Sequence, residues 1–288
     1  MKKILVTGLS GFIGSHTVDF LIEKGYEIHA ISTKERYNTE HVNWYNLDLL
    51  NENKVKEFLK KIKPSYLLHF AWDVTHGEYI QSPKNYDWLI ASINLLKNFK
   101  ENGGKRIVVA GTQLEDNDYN PYPACKRALL EVLKSLDISY AWGRIFYLFG
   151  ENEHPKRLVP YVINSLLNKE EVKCSNGEQV CDFMYVKDVA RAFVELLNSD
   201  VQGVVDIGSG EGIKIKDLIF KIADYLEGKD LIKIGALKSS EQKKYSIIAD
   251  ISRLKNEVKF VPNFTIDKAI ENLVELSKKD MKRGGNEL

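Results

Sequence analysis

Short apolar runs alternate with stretches whose apolar residues recur every three or four positions through the first half of the chain. Ile4-Leu5-Val6 has the pattern of a buried strand, and Ile13 to Lys24 that of an amphipathic helix stopped by Gly25. Glu27 to Ser32 and Val42 to Leu47 read as the next two strands, and Lys54 to Lys63 as a helix ended by Pro64. Tyr66 to Phe70 is a fourth strand, Lys84 to Asn102 a long helix, and Arg106 to Ala110 a fifth strand. A helix from Ala124 to Ser135 and a strand from Ser139 to Ile145 complete the series. Strands without a polar face are buried on both sides. Their alternation with helices over short connections predicts an α/β fold with a doubly wound parallel sheet.

After Gly150 the texture changes. Helical patterns at Leu158 to Asn168, Val186 to Asn198, Ile215 to Glu227 and Asp267 to Lys279 are separated by turns such as Ser175-Asn176-Gly177. This predicts one domain over 1–150 and a smaller C-terminal α/β lobe over 151–288, with a strand near 203–207 returning to the first sheet. The polar residues from Lys278 to Leu288 are expected to fray.

Thr7-Gly8-Leu9-Ser10-Gly11-Phe12-Ile13-Gly14 lies between the first strand and the first helix, with its glycines in GxxGxxG spacing. Glycine allows a tight turn and a close approach of backbone to a pyrophosphate, and the helix start supplies free N–H groups. Gly8, Ser10, Gly11, Phe12, Ile13 and Gly14 are therefore candidate dinucleotide contacts, and the first domain is expected to be Rossmann-type. At the end of the second strand an acid would favour NAD; the chain has Ser32, Thr33, Lys34 and Arg36. Two hydroxyls and two cations suit a 2′-phosphate, so NADP(H) is expected in preference to NAD(H). Asp48 and Leu49 after the third strand, and Phe70, Ala71 and Trp72 after the fourth, complete the cofactor set.

Tyr122-Pro123-Ala124-Cys125-Lys126 is a YxxxK, which a helix places on one face. A phenol with a pKa of ~10 works near neutrality only if its phenolate is stabilised, and an ammonium one turn away does this. Thr112, just past the fifth strand, is placed to hold a substrate oxygen beside the phenol.

The glycine loop, Thr112, Tyr122 and Lys126 together resemble the extended short-chain dehydrogenases, the NAD-dependent epimerase/dehydratase family. His69-Phe70-Ala71, Gly143-Arg144, Asp182-Phe183-Met184-Tyr185-Val186 and Val205-Asp206-Ile207-Gly208 extend the likeness over most of the chain. The resemblance implies that Tyr122 is the acid/base, that Lys126 binds the nicotinamide ribose and lowers the tyrosine pKa, and that Thr112 orients a sugar hydroxyl or carbonyl. It also implies a nucleoside-diphosphate sugar as substrate and a homodimer built on the helices Lys84–Asn102 and Ala124–Ser135. Trp72, Thr112, Gln113, Tyr147, Arg157 and Leu158 are the substrate-side candidates. The family's usual diphosphate-binding arginine is replaced by Cys181, and Arg157 or Lys156 is its candidate substitute.

Dehydratases of this family carry an acidic pair directly after the active threonine. Here Gln113-Leu114 follow Thr112, with Glu115 one place too late. The pattern is most similar to nucleotide-sugar 4-ketoreductases, which implies NADPH-dependent reduction of an NDP-4-keto-6-deoxy sugar in polysaccharide precursor synthesis. C4 epimerisation or dehydration is the alternative, and a non-catalytic nucleotide-sensing scaffold a distant one.

Composition narrows the partners. The net charge of +1, from 41 Lys+Arg against 40 Asp+Glu, gives no broad basic field for nucleic acid or an anionic membrane. Cys125, Cys174 and Cys181 form no metal or disulfide spacing, so no metal is expected and the compartment is expected to be the reducing cytoplasm.

Overall fold

The computed structural model describes residues 2–116, 119–237 and 246–284. It divides into two compact units, one formed by residues 1–145, 190–207 and 252–260, the other by 146–189, 208–251 and 261–288. The chain thus leaves the first unit at 145, five residues before the expected 150, and re-enters it twice.

The first unit holds a parallel sheet. Its strands are β1 (Lys2–Thr7), β2 (Tyr26–Ser32), β3 (Val42–Asn46), β4 (Tyr66–His69), β5 (Arg106–Thr112) and β6 (Ser139–Ile145), with a return strand Gly203–Ile207. Their order is return strand, β6, β5, β4, β1, β2, β3. The order reverses between β4 and β1, and ligands of open α/β sheets sit beyond the carboxyl ends of the strands at such a switch point. Thr7, His69 and Thr112 are the last residues of β1, β4 and β5.

Helices α1 (Val18–Glu23), α2 (Glu52–Ile62), α3 (Lys84–Glu101) and α4 (Pro121–Ser135) lie between the strands. Val55 and Leu59 of α2, Leu95, Leu96 and Phe99 of α3, and Leu129 and Leu133 of α4 pack with Leu5, Leu67, Ile107 and Val109 of the sheet in one core. Truncating one such leucine to alanine costs about 2–5 kcal/mol. Asn51 caps α2 by accepting from the Lys54 N–H at 3.1 Å. The expected helix Ile13–Lys24 opens instead as a tight 3-10 turn, Gly14–Thr17, whose Thr17 hydroxyl donates to the Gly14 carbonyl at 2.7 Å.

Two arginines hold the return strand. The buried Arg106 guanidinium donates to the carbonyls of Leu196 and Leu197 in the last turn of the helix Val186–Asn198 and to that of Val201 just beyond it. Arg253 donates to the carbonyls of Val204 and Gln202.

The second unit is centred on the strand Val180–Tyr185, paired with Tyr147–Phe149, Gly212–Lys214 and Ser246–Ile247. A separate pair joins Val172–Lys173 to Ile232–Lys233. These strands of two to six residues are too short for periodicity to reveal. The last helix runs from Ile266 to Gly284, beyond the expected fraying point at Lys278, because no glycine or proline interrupts it before its last residue. Residues 285–288 lie outside the described residues. No described helix is long and apolar enough to cross a membrane.

Candidate active site

The glycine loop is shaped by close contact. Gly8 has φ of +73°, and a Cβ there would lie 2.8 Å from the Ala71 nitrogen. Its carbonyl accepts the Gly11 N–H at 2.9 Å, closing the turn. A Cβ on Gly14 would come within 2.2 Å of that same carbonyl. At Gly11 the only such contact is the Gly8 carbonyl at 3.2 Å, so this side of the loop stays bare backbone. Bare backbone at the start of a helical segment fits a diphosphate.

Behind the loop, the Thr7 hydroxyl meets His69 Nδ1 at 2.6 Å, and the Ser92 hydroxyl meets His69 Nε2 at 2.9 Å. Burial, assisted by the Lys126 charge, pushes the His69 pKa down to about 3. The imidazole is neutral, and it ties the ends of β1 and β4 to α3.

The strand β5 continues to Thr112, two residues past the expected Ala110. Helix α4 starts at Pro121, three residues before the expected Ala124, because proline is well placed at a first helical position. The Tyr122 N–H donates to the Ile80 carbonyl at 3.0 Å. Lys126 lies one turn on, with Nζ donating to the Ala110 carbonyl at 2.9 Å and standing 4.0 Å above the Trp72 ring centre. The Trp72 indole donates to Asn85 Oδ1 at 2.7 Å, while the Asn85 amide donates to the carbonyls of Tyr79 and Ser82. The rings of Trp72 and Tyr79 meet Tyr122 edge-on. Burial pulls the Lys126 pKa down to about 7, opposed by the Glu115 carboxylate.

Glu115 is 1% exposed. Its Oε1 accepts the Thr112 N–H at 2.6 Å and the Trp142 indole N–H at 3.0 Å. Its Oε2 lies 3.1 Å from the same indole nitrogen and 3.5 Å from Arg144 Nε.

A family model, described as the NAD dependent epimerase/dehydratase family, matches residues 4–208. The chain belongs to that family. It is therefore an enzyme of the extended short-chain dehydrogenase type, and the parallel sheet and glycine loop are those of its family. CDP-abequose synthase of Salmonella typhimurium is 25% identical over 298 residues, covering 95% of this chain and 97% of that protein. The UDP-N-acetylglucosamine 4-epimerase of Methanobrevibacter ruminantium, solved with UDP-N-acetylmuramic acid, is 26% identical, with a TM-score of 0.84 over 97% of this chain and 99% of that one. The UDP-glucose 4-epimerase of Thermotoga maritima shares the fold at a TM-score of 0.85 and 23% identity, over 97% and 99% of the two chains.

The residues of this family member fit a dinucleotide. Gly8, Gly11 and Gly14 leave backbone bare, with Ser10, Phe12 and Ile13 on the same turn. The Lys126 ammonium has three donors and, among the described residues, one acceptor, the Ala110 carbonyl, which leaves donors for ribose hydroxyls. At the end of β2, Thr33, Lys34 and Arg36 are exposed and Ser32 half-buried. The Ser32 hydroxyl accepts the Lys34 N–H at 3.1 Å, and the Arg36 guanidinium lies 5.0 Å over the Trp44 ring. Asp48 is exposed and accepts the Leu50 N–H, whereas Leu49 turns its side chain into the core. Phe70 donates its N–H to the Thr7 carbonyl at 3.1 Å and packs its ring on Phe193.

Three substrate-side candidates fall in the second unit. Tyr147 packs on Phe183, Leu158 packs against that unit's core, and Arg157 is exposed at the start of the helix Leu158–Leu167. Cys181 is fully buried in the same core, and burial raises its thiol pKa to about 11. Its side chain points inward, so this position offers no group to a diphosphate. The neighbouring Asp182 is equally buried and accepts from Ser209, Gly210 and Ala249. It braces loops.

Glu115, Trp142, Asn85 and Ser92 were not expected at the site. Glu115 alone gave a signal, an acid three residues past Thr112; the others are polar partners brought in by distant elements.

Proposed function

We propose that this protein reduces the C4 ketone of a nucleoside-diphosphate 4-keto-6-deoxy sugar, consuming one NADPH per ketone. One observation carries the choice of reaction: Glu115, the first carboxylate after Thr112, faces into the protein. Elimination across a sugar ring needs an acid and a base at the ring. Gln113 and Leu114 provide neither, and Glu115 is spent on Thr112, Trp142 and Arg144. Exposed Lys34 and Arg36 support a 2′-phosphorylated cofactor that exchanges after each turnover, where an epimerase would retain its NAD.

Bound reduced nicotinamide supplies a hydride to the ketone carbon. The Tyr122 hydroxyl gives its proton to the carbonyl oxygen, which becomes a hydroxyl, and the phenolate is reprotonated from solvent. Lys126 stabilises that phenolate by charge, and the Thr112 hydroxyl hydrogen-bonds the oxygen as negative charge develops. The names of the relatives support a nucleotide-linked sugar as substrate. Exposed Tyr86 and Ile90 on α3 support a homodimer across α3 and α4, and a monomer by light scattering at micromolar concentration overturns that part.

The deciding experiment supplies 4-keto-6-deoxy sugar nucleotides with stoichiometric deuterated NADPH, and with deuterated NADH in parallel. One deuterium fixed at C4 per NADPH oxidised is the expected result. Isomerisation without NADPH loss, or dehydration of an unmodified sugar nucleotide, refutes the reaction; faster turnover with NADH refutes the cofactor preference.

A further inference from the structure

We infer that Glu115 is a positioning residue of this active site, fixing the Thr112 backbone and serving as the buried counter-charge of Lys126. It rests on the reading that Thr112, Tyr122 and Lys126 form the acid–base centre, whichever sugar reaction they run.

The geometry is specific. A 3-10 turn, Gln113–Asp116, swings Glu115 back beneath the end of β5. Its carboxylate then takes the Thr112 N–H, so the residue whose hydroxyl faces the substrate is held by its own main chain. The Trp142 indole of β6 reaches the carboxylate across Gly111, where a Cβ would lie 1.9 Å from the indole nitrogen. Gly111 is therefore glycine because this indole must pass. The Glu115 carbonyl accepts the Arg127 guanidinium from α4, the helix that carries Tyr122 and Lys126. One residue thus ties together β5, β6 and α4.

The charges point the same way. The titratable groups that act on Lys126 are neutral His69 of β4, whose own pKa the Lys126 charge lowers, Tyr122 of its own helix and Glu115 of the turn, with Arg144 of β6 on the far side of the Glu115 carboxylate. Burial raises the Glu115 pKa, while the Thr112 and Trp142 donors and the Arg144 charge favour its ionised form. Ionised Glu115 is the attraction that opposes the fall of the Lys126 pKa on burial. A carboxylate kept for packing alone would have no need to lie among the acid–base residues.

Glu115→Gln tests this in the full chain. It keeps the shape, removes the charge, and sets an amide donor against donors. With ε-13C-labelled lysine, the signal missing from Lys126→Met identifies Lys126, and its titration is followed with no sugar present. The midpoint, near 7 in the native protein, is expected to move to lower pH in Glu115→Gln. Turnover of the 4-keto sugar is expected to fall about 10–100-fold with KM little changed, the mark of a displaced catalytic group. An unmoved midpoint overturns the proposal, even if the variant melts earlier. Should Glu115→Gln not fold, Glu115→Asp withdraws the charge by one methylene. A smaller shift in the same direction is then expected, and no shift overturns the inference. A native protein that oxidises no NADPH with any keto sugar refutes the proposed reaction and leaves the Lys126 titration to judge Glu115.

Discussion

Replacing Lys126 by methionine removes an ammonium that the fold buries at 3% exposure. Burial lowers its pKa from 10.5 to about 7. At 1.36 kcal/mol per pKa unit, holding that charge costs the folded state about 5 kcal/mol. Below pH 7 the folded and unfolded chains both carry the proton, and the whole cost is present. From about 7 to 10.5 the unfolded chain keeps the proton that the folded chain releases, so native stability rises with pH across this window. The variant has no such slope. It also leaves the Ala110 carbonyl without its donor, at about 1–3 kcal/mol, and gives up the contact with the Trp72 ring, at about 1 kcal/mol. Lys126→Met should therefore be more stable than the native protein by roughly 2 kcal/mol at pH 6 and less stable by a similar amount at pH 10. Urea denaturation at pH 6, 8 and 10 reads the crossing, while turnover should be lost. A variant less stable at every pH, or a difference that does not change between pH 6 and 10, refutes the account of Lys126 as a charge held at the expense of stability.

Two further outcomes follow from the same unit. His69 titrates near 3 in the fold and near 6.5 unfolded, so below pH 6.5 the unfolded chain binds the extra proton and native stability falls with falling pH. His69→Gln should remove about 1.4 kcal/mol of that fall per pH unit; a gap between variant and native denaturation energies that is equal at pH 7 and pH 5 rules this out. Gly14→Ala drives a methyl to within 2.2 Å of the Gly8 carbonyl and should cost about 3 kcal/mol. The backbone shift it forces should also abolish NADPH binding, so native-like affinity by fluorescence titration would contradict the packing described for the loop.

The order of strands and helices in the first unit was legible because each element signals locally. Strands such as Ile107-Val108-Val109 are buried on both faces and so lack polar positions, and Gly8, Gly25 and Pro64 mark turns through backbone geometry that neighbours cannot override. The glycine loop and the YxxxK pair were legible for the same reason, since their spacing is set by one turn of chain. Element ends shifted by one to three residues wherever a cap or a helical proline set the boundary, as Asn51 and Pro121 do. The short strands of the second unit were invisible because two to six residues carry no period, and their pairing comes from partners as far as 66 residues away, as Ile247 with Cys181 shows.

What only the tertiary structure decided is how the polar side chains around the catalytic pair are engaged. From spacing, Glu115 was an acid one place too late for a dehydratase pair and Cys181 a gap in a phosphate clamp. Folding turned Glu115 beneath Thr112 and sealed Cys181 in a core. A carboxylate's chemistry depends on which donors surround it and whether water reaches it. For Glu115 one donor is the Thr112 N–H three residues back, but the other, the Trp142 indole 27 residues on, comes alongside only because β6 pairs with β5.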